Sequence, residues 1–334
     1  MRSVTKTLST LSLVTLMAVT AAAVTQQTPK PPGKLVDLGG HRLHVYCTGK
    51  GPYTAVVENG LGDFSFTWIL VQQKVEKFTR ICTYDRAGYA WSDPGPKPRT
   101  FAQLNLELHD ALSKLGERGP FILAGHSFGG GVVRNYAATY PSQVAGMVLV
   151  DIVPEDQRIP MGPHAARIRD FARNVPIPAP RENLLPTDKP VAAQPDASLS
   201  KIEPPFDKLP PEQQRLQLWA QNLPTLEDAE NSQKEWSSEY MAQMHATPQQ
   251  GILGNIPLIV LTRAEGYRRD LDVPAAELEA ERKRTQAQLT LLSTHGKQII
   301  VPSGHNMHLE APDAVADAIQ EVKNSCEHPK QPAH

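Results

Sequence analysis

The stretch "FILAGHSFGGGVVRNYAATYP", residues 121–141, leaves this chain few folds to choose from. Four apolar residues run into Gly125-His126-Ser127-Phe128-Gly129 and then into a segment with helical spacing. A strand that turns into a helix within a few residues needs a tight, strained turn. Glycines two places either side of the serine avoid a clash between strand, turn and departing helix. The pattern is G-x-S-x-G in the strand–turn–helix setting that gives it meaning, and it makes Ser127 the candidate nucleophile. The helix start behind it offers a favourable field for a developing oxyanion.

Around this turn, strand-like and helical runs alternate. "KLVDLGG", "HRLHVYCTG", "YTAVVENG" and "TRICTYDRAG" read as short strands divided by glycine-containing turns. In "RTFAQLNLELHDALSKLG" the apolar Phe101, Leu104, Leu108, Leu112 and Leu115 fall at helical spacing, with Gly116 as the stop. "AGMVLVDI", "IPLIVLTR" and "KQIIVPSG" are further strands, while "PAAELEAERKRTQAQLTLLS" and "APDAVADAIQEVKNS" read as helices. Such alternation implies an α/β chain with a parallel sheet and helices on both faces. Between Pro154 and Pro224 there are fourteen prolines, interrupting possible helices such as "PHAARIRDFARN", "PEQQRLQLWAQN" and "LEDAENSQKEWSSEYMAQM". Residues 34–152 and 254–325 are therefore expected to form the sheet core, and 153–253 an inserted lid. Residues 326–334 are expected to be a loose tail.

The amino terminus is different in kind. Arg2 and Lys6 precede an uncharged run that ends in small residues at Ala21-Ala22-Ala23. Residues 1–23 read as a secretory signal cleaved near Ala23, with an uncleaved membrane anchor as the alternative, and 24–33 as an extended linker. A secreted, periplasmic or envelope protein is expected, with no stable membrane insertion once the signal is cleaved. A formal net charge of −1 without long runs of one sign argues against nucleic acid or an anionic membrane as the main partner. Three cysteines make neither a disulfide framework nor a zinc pattern, so no metal or cofactor is expected.

A serine hydroxyl needs a base at neutral pH. His305, in "VPSGHNMHLEAPD", directly follows a strand and Gly304, and it is the candidate. His308 is expected to face the final helix or solvent, and His126 to pack under the turn.

In this order and spacing, "ENGLGDFSFTW", "YDRAGYAWSDPGP", "GHSFGG" and "SGHNMHLEAPD" resemble the α/β-hydrolase superfamily, and more narrowly its exported bacterial esterase-like members. The likeness spans about residues 35–325 and is weakest in the inserted segment. It implies an eight-stranded, mostly parallel sheet with a helical lid inserted after the sixth strand. It also implies a serine hydrolase acting on a small-molecule ester through an acyl-enzyme. Two backbone N–H groups would form the oxyanion hole, from Phe128 after the nucleophile and from Leu61 after the third strand; this chain has Asn59-Gly60 where the family often has His-Gly. Each such donor is worth roughly 10²–10³ in rate.

For the acid there are two places. Asp151 ends the sixth strand, as in some relatives, while Glu265, Asp270 and Asp272 follow the seventh, where most members keep it. "TRAEGYRRD" fits the usual strand-seven pattern poorly, so Asp151 is taken as the acid that orients His305, with Glu265 as the alternative. Asp85 and Arg86 are expected to tie neighbouring loops together, and Trp91 to line the pocket. Because the second and fourth strands are antiparallel neighbours in this topology, a Cys47–Cys82 disulfide is expected, leaving Cys326 as a lone tail thiol. Leu226, Ala229, Trp236, Tyr240 and Met244 can share one helix face of the lid. Together with Phe171, Phe206 and Trp219 they point to uncharged, partly apolar esters. Lactonase, amidase, peptidase, thioesterase and perhydrolase chemistry remain open on this fold, as does a catalytically silent envelope binding protein. Epoxide hydrolases and haloalkane dehalogenases resemble it but carry aspartate where Ser127 stands.

Overall fold

Among the described residues ten strands form: β1 (Lys34–Asp37), β2 (Arg42–Thr48), β3 (Thr54–Glu58), β4 (Arg80–Tyr84), β5 (Phe121–His126), β6 (Val144–Val150), β7 (Ile159–Met161), β8 (His164–Ala166), β9 (Leu258–Arg263) and β10 (Gly296–Val301). Eight of them make one sheet in the order β1-β2-β4-β3-β5-β6-β9-β10, and β7 with β8 makes a separate two-stranded hairpin. The structure is a computed structural model and describes residues 28–181, 201–267 and 270–328. The segment read as a signal lies outside those residues, as do the start of the linker and the last six residues. The chain divides into residues 1–30 and residues 31–334, and the fold is that of the second unit.

Pairing is antiparallel for β1–β2 and β2–β4 and parallel across the rest of the large sheet. The central strands are apolar along their length because both faces are covered, as a parallel sheet flanked by helices demands. Alternate side chains go to opposite sides. From β6 and β9, Met147, Leu149, Leu258 and Val260 enter a core shared with α2 (Phe101–Leu115) and α3 (Gly129–Thr139). Val148, Val150, Ile259 and Leu261 enter the opposite core, shared with α1 (Ile69–Val75) and α8 (Pro312–Glu327). In α8, Val315, Ala316, Ile319 and Val322 recur at the 3–4 residue spacing of a buried helical stripe. Thr100 caps α2, its hydroxyl accepting from Gln103 N–H at 3.1 Å.

Cys47 and Cys82 are direct partners in the β2–β4 register and are joined by a disulfide. Cys326 is not in a loose tail. Helix α8 runs on to Glu327, and the Cys326 thiol donates to Ala145 O at 3.3 Å.

Between β6 and β9 the chain forms the hairpin, a 3₁₀ turn (Ile168–Phe171), α4 (Pro211–Ala220) and the 23-residue α5 (Pro224–Ala246). The helix suggested by "PHAARIRDFARN" is not formed. Gly162 turns the chain there at φ 66°, and Asp272 accepts Ala165 N–H at 2.8 Å, holding β8 extended. After β9 come α6 (Ala275–Gln288), then β10, the single-turn α7 (Met307–Glu310) and α8. Among the described residues no helix is long and apolar enough to cross a membrane.

The consequence for chemistry is positional. Ser127 follows β5, Asp151 follows β6, His305 follows β10 and Leu61 follows β3. All four sit beyond carboxyl ends of parallel strands, where open α/β sheets place their ligand crevice.

Candidate active site

Ser127 is held at φ 51°, a left-handed conformation that costs a non-glycine residue about 1–3 kcal/mol. Its N–H donates to Val150 O at 3.2 Å, and its carbonyl accepts Gly130 N–H at 3.1 Å, so strand, turn and helix are stitched together through the serine. The flanking glycines follow from contact. A Cβ on Gly129 would stand 2.4 Å from Glu58 O, and one on Gly125 would stand 2.8 Å from Gly129 O.

His305 Nδ1–H donates to Asp151 Oδ2 at 2.6 Å. The carboxylate is 1% exposed and the imidazole 40% exposed, so Asp151 is buried while His305 is open to solvent. Asp151 also stands at positive φ, 40°, where β6 leaves the sheet. Burial by itself would raise its pKa. The hydrogen bond from His305 and the Arg263 guanidinium outweigh burial and hold it below the ordinary carboxylate range. Glu265 takes another part: it is exposed, its N–H donates to Ser303 O at 3.2 Å and its carbonyl accepts Arg263 Nε. Asp270 accepts Ala275 N–H at the start of α6, and Asp272 is bound to the hairpin. Among the described residues Ser127 Oγ is not hydrogen-bonded to His305; in a free enzyme that contact is often loose and tightens on binding.

Two other histidines lie beneath the turn. His126 is buried and its Nε2–H donates to His305 O at 2.9 Å, fixing the loop that carries the imidazole. Burial, followed by the His305 charge, lowers its pKa to about 3. His308 does not face the final helix or solvent. It is fully buried, stacked on Trp68 at 4.9 Å with Nε2 3.3 Å from Asp63 Oδ2, and burial holds it well below the usual imidazole range. Asp63, His126 and His308 each bring one potential donor atom within 4.8 Å of the others. Asp63 Oδ2 and His308 Nε2 are 3.3 Å apart, yet these two atoms, His126 Nδ1 and His308 Nδ1 have no hydrogen-bond partner among the described residues.

The loop carrying Leu61 is set by Arg86. This buried guanidinium donates to Glu58 Oε1 at 2.7 Å, to Asn59 O at 2.8 Å and to Gly60 O at 2.6 Å, and lies over the Tyr89 and Phe128 rings. Tyr84 OH donates to the other oxygen of Glu58, and Asn59 Nδ2 to Tyr84 O at 2.8 Å. Asp85 ties the next loop, accepting from His44 Nδ1 at 2.7 Å and Ser65 N–H at 2.8 Å. Leu61, Ser127 and Phe128 then line one cavity of about 640 Å³. Among the described residues neither the Leu61 nor the Phe128 N–H donates to another backbone carbonyl.

Most of that cavity's wall comes from the inserted segment: Val153, Ile159, Met161, Ile168, Phe171 and Met241. The charges beside them are matched, with Arg173 on Glu235 at 2.7 Å and Lys234 on Glu230 at 2.9 Å. The expected lid face is only partly as drawn. Leu226, Ala229 and Tyr240 are buried, but Trp236 and Met244 are half-buried, and Trp236 lies beneath Arg173. Trp219 packs on Trp91 at 5.2 Å, and Trp91 lies in that aromatic cluster rather than on the cavity wall. Sequence reasoning passes over Met241 and Arg263. Nothing in "LIVLTR" marks its last residue as a partner of Asp151.

A profile of the Alpha/beta hydrolase family matches residues 55–318, and the chain belongs to that family. Among solved structures, a mutant of a putative epoxide hydrolase from Pseudomonas aeruginosa superposes with a TM-score of 0.60 at 18% identity. That match covers 88% of this chain and 95% of the other. A thermophilic esterase from Thermogutta terrifontis does so with a TM-score of 0.58 at 19% identity, covering 88% and 99%. At such identities the likeness speaks for the fold. An uncharacterized protein, YbdG, of Bacillus subtilis is 30% identical over 125 residues, 37% of this chain and 38% of that protein. A probable transporter, efuK, of Hormonema carpetanum is 32% identical over 129 residues, 36% of this chain and 18% of that protein. The chain thus matches well under half the length of these curated relatives.

Proposed function

We propose that this hydrolase-family member is a serine hydrolase that cleaves carboxylic esters through an acyl-enzyme. The observation that carries the reading is the 2.6 Å bond between the buried Asp151 carboxylate and a half-exposed His305, beyond the carboxyl ends of β6 and β10 in the same sheet whose β5 leads into a strained Ser127. Ser127 attacks the carbonyl, and His305 takes its proton at Nε2 and passes it to the leaving alcohol. Asp151 orients the ring and offsets the imidazolium charge without taking the proton. The Leu61 and Phe128 N–H groups receive the oxyanion. Water then clears the acyl group by the same route. A mostly apolar cavity of about 640 Å³ favours uncharged esters with short to medium acyl chains. Epoxide opening, named for one structural neighbour, is disfavoured by a serine at position 127.

Labelling with a fluorophosphonate probe tests the chemistry. Wild type is expected to react and Ser127→Ala not to. A folded wild type that neither labels nor turns over p-nitrophenyl esters would instead support a silent binding protein. We further propose that the protein is exported: the basic-then-apolar start fits a signal, and the Cys47–Cys82 disulfide fits an oxidising compartment. Amino-terminal sequencing of the protein from its native host should find a start near residue 24; an intact Met1 in a cytosolic fraction would refute this.

A further inference from the structure

Three basic side chains meet the Asp151 carboxylate. Its Oδ2 accepts both His305 Nδ1–H and Arg263 Nη1–H, while Oδ1 accepts Arg263 N–H at 3.3 Å and lies 3.8 Å from Arg282 Nη1. The two guanidiniums are not equivalent. Arg282 is committed to Glu279, donating to both its oxygens at 2.8 and 2.5 Å. Arg263, at the end of β9, has its ion pair with Asp151 and rests over the Tyr267 ring at 5.3 Å.

We propose that Arg263 is a positioning residue of the acid–base pair, sharing Oδ2 with His305 so that the carboxylate is held in place yet stabilises a protonated imidazole less. This rests on the reading of His305 as the base. A lone carboxylate against an imidazole favours the imidazolium, and a cation on the same oxygen opposes it. The other groups packed around His305 do not supply this effect. His126, from β5, and His308, from α7, are buried and held neutral. Asp63 lies against His308, Glu310 accepts Gly304 N–H at 2.8 Å, and Glu265 contributes its carbonyl to Arg263.

The test is the pH profile of kcat/KM, whose acid limb reports the free enzyme's base. In Arg263→Gln and Arg263→Met, which remove the charge, the limb is expected to move up by about half to one pH unit, after discounting for the half-exposed ring. On the acid side that is a loss of up to about tenfold relative to wild type, beyond any change at the alkaline plateau. Arg263→Lys, which restores a cation, is expected to return the limb toward wild type. The two neutral variants guard against one failing to fold, which near-UV circular dichroism decides. A purely structural role predicts lower rates at every pH with the limb unmoved or moved down, and that outcome overturns the proposal. If turnover depends on Ser127 and His305 but the limb does not move, Arg263 alone is misassigned. If turnover does not depend on them, the functional reading fails first.

Discussion

Replacing Asp151 by Asn tests the acid–base pair where the geometry gives a clear forecast. Every group around the carboxylate is a donor: His305 Nδ1–H and Arg263 Nη1–H on Oδ2, Arg263 N–H on Oδ1. An amide can satisfy only one of these sides. With its NH₂ toward His305, the ring must accept at Nδ1, so Nε2 carries the hydrogen and has no lone pair for the Ser127 hydroxyl. With its oxygen toward His305 the tautomer survives, but the forming imidazolium has lost its counter-charge while Arg263 keeps its own. Either way kcat should fall on the order of 10³–10⁴, about 4–5.5 kcal/mol of transition-state stabilisation. Stability should fall less, by about 1–3 kcal/mol, because Arg263 keeps the Glu265 carbonyl and the Tyr267 ring. Burst and steady-state kinetics with a p-nitrophenyl ester, alongside urea unfolding, separate the two effects. Glu265→Gln should stay within about threefold of wild type, since its carboxylate is exposed and does not hold His305. A folded Asp151→Asn with more than a tenth of wild-type kcat, beside a Glu265→Gln that loses a hundredfold, would refute the assignment.

Three further outcomes follow from the contacts around the site and within the sheet. Arg86→Met strands Glu58 and frees the Asn59 and Gly60 carbonyls; it should cost about 3–5 kcal/mol in urea unfolding and lower kcat tenfold or more by slackening the Leu61 loop. Full kcat in that variant would mean the loop is set by other contacts. Cys47→Ala with Cys82→Ala opens a link across 35 residues, which loop entropy values at up to about 4 kcal/mol, so a loss of about 2–4 kcal/mol is expected and one below about 1 would contradict it. Acid should weaken the fold through His126, lowered to about 3, and His308, lowered in the same direction. Because the folded values are depressed, the unfolded chain takes the protons first: stability is intact above about pH 6.5 and declines by about 1.4 kcal/mol per pH unit per histidine as pH falls. Asp63, raised to about 6 by burial, works the other way and gains as pH falls through 6, offsetting part of the loss. Urea midpoints that stay level from pH 7 to pH 5 would show that these rings are not neutral in the fold.

What can be read from the chain alone divides along a physical line. The turn at Ser127 announces itself because its backbone tolerates so few residues: a Cβ at Gly129 has no room against the Glu58 carbonyl, so the pattern must be written in the sequence. The alternation of strand and helix is legible for a similar reason, since a sheet buried on both faces requires apolar runs such as those of β5 and β6. The inserted segment carries no such constraint. Its hairpin forms where Gly162 turns the chain and Asp272, more than a hundred residues further on, accepts Ala165 N–H, and helical spacing alone predicts the wrong element. The fate of His308 escapes the sequence on the same account: its burial comes from Trp68 and Asp63, contributed by another loop.

Arg263 is the instructive case. At the end of an apolar strand it reads as the residue that meets solvent, and only the adjacency of β6 to β9 brings it to Asp151. Placing Asp151 after β6 therefore has a consequence that no motif records: its carboxylate lies beside the strand that ends in an arginine, and is shared between Arg263 and His305 from the outset. The position of the carboxylate and the charge that tempers it are thus one choice, made by strand order.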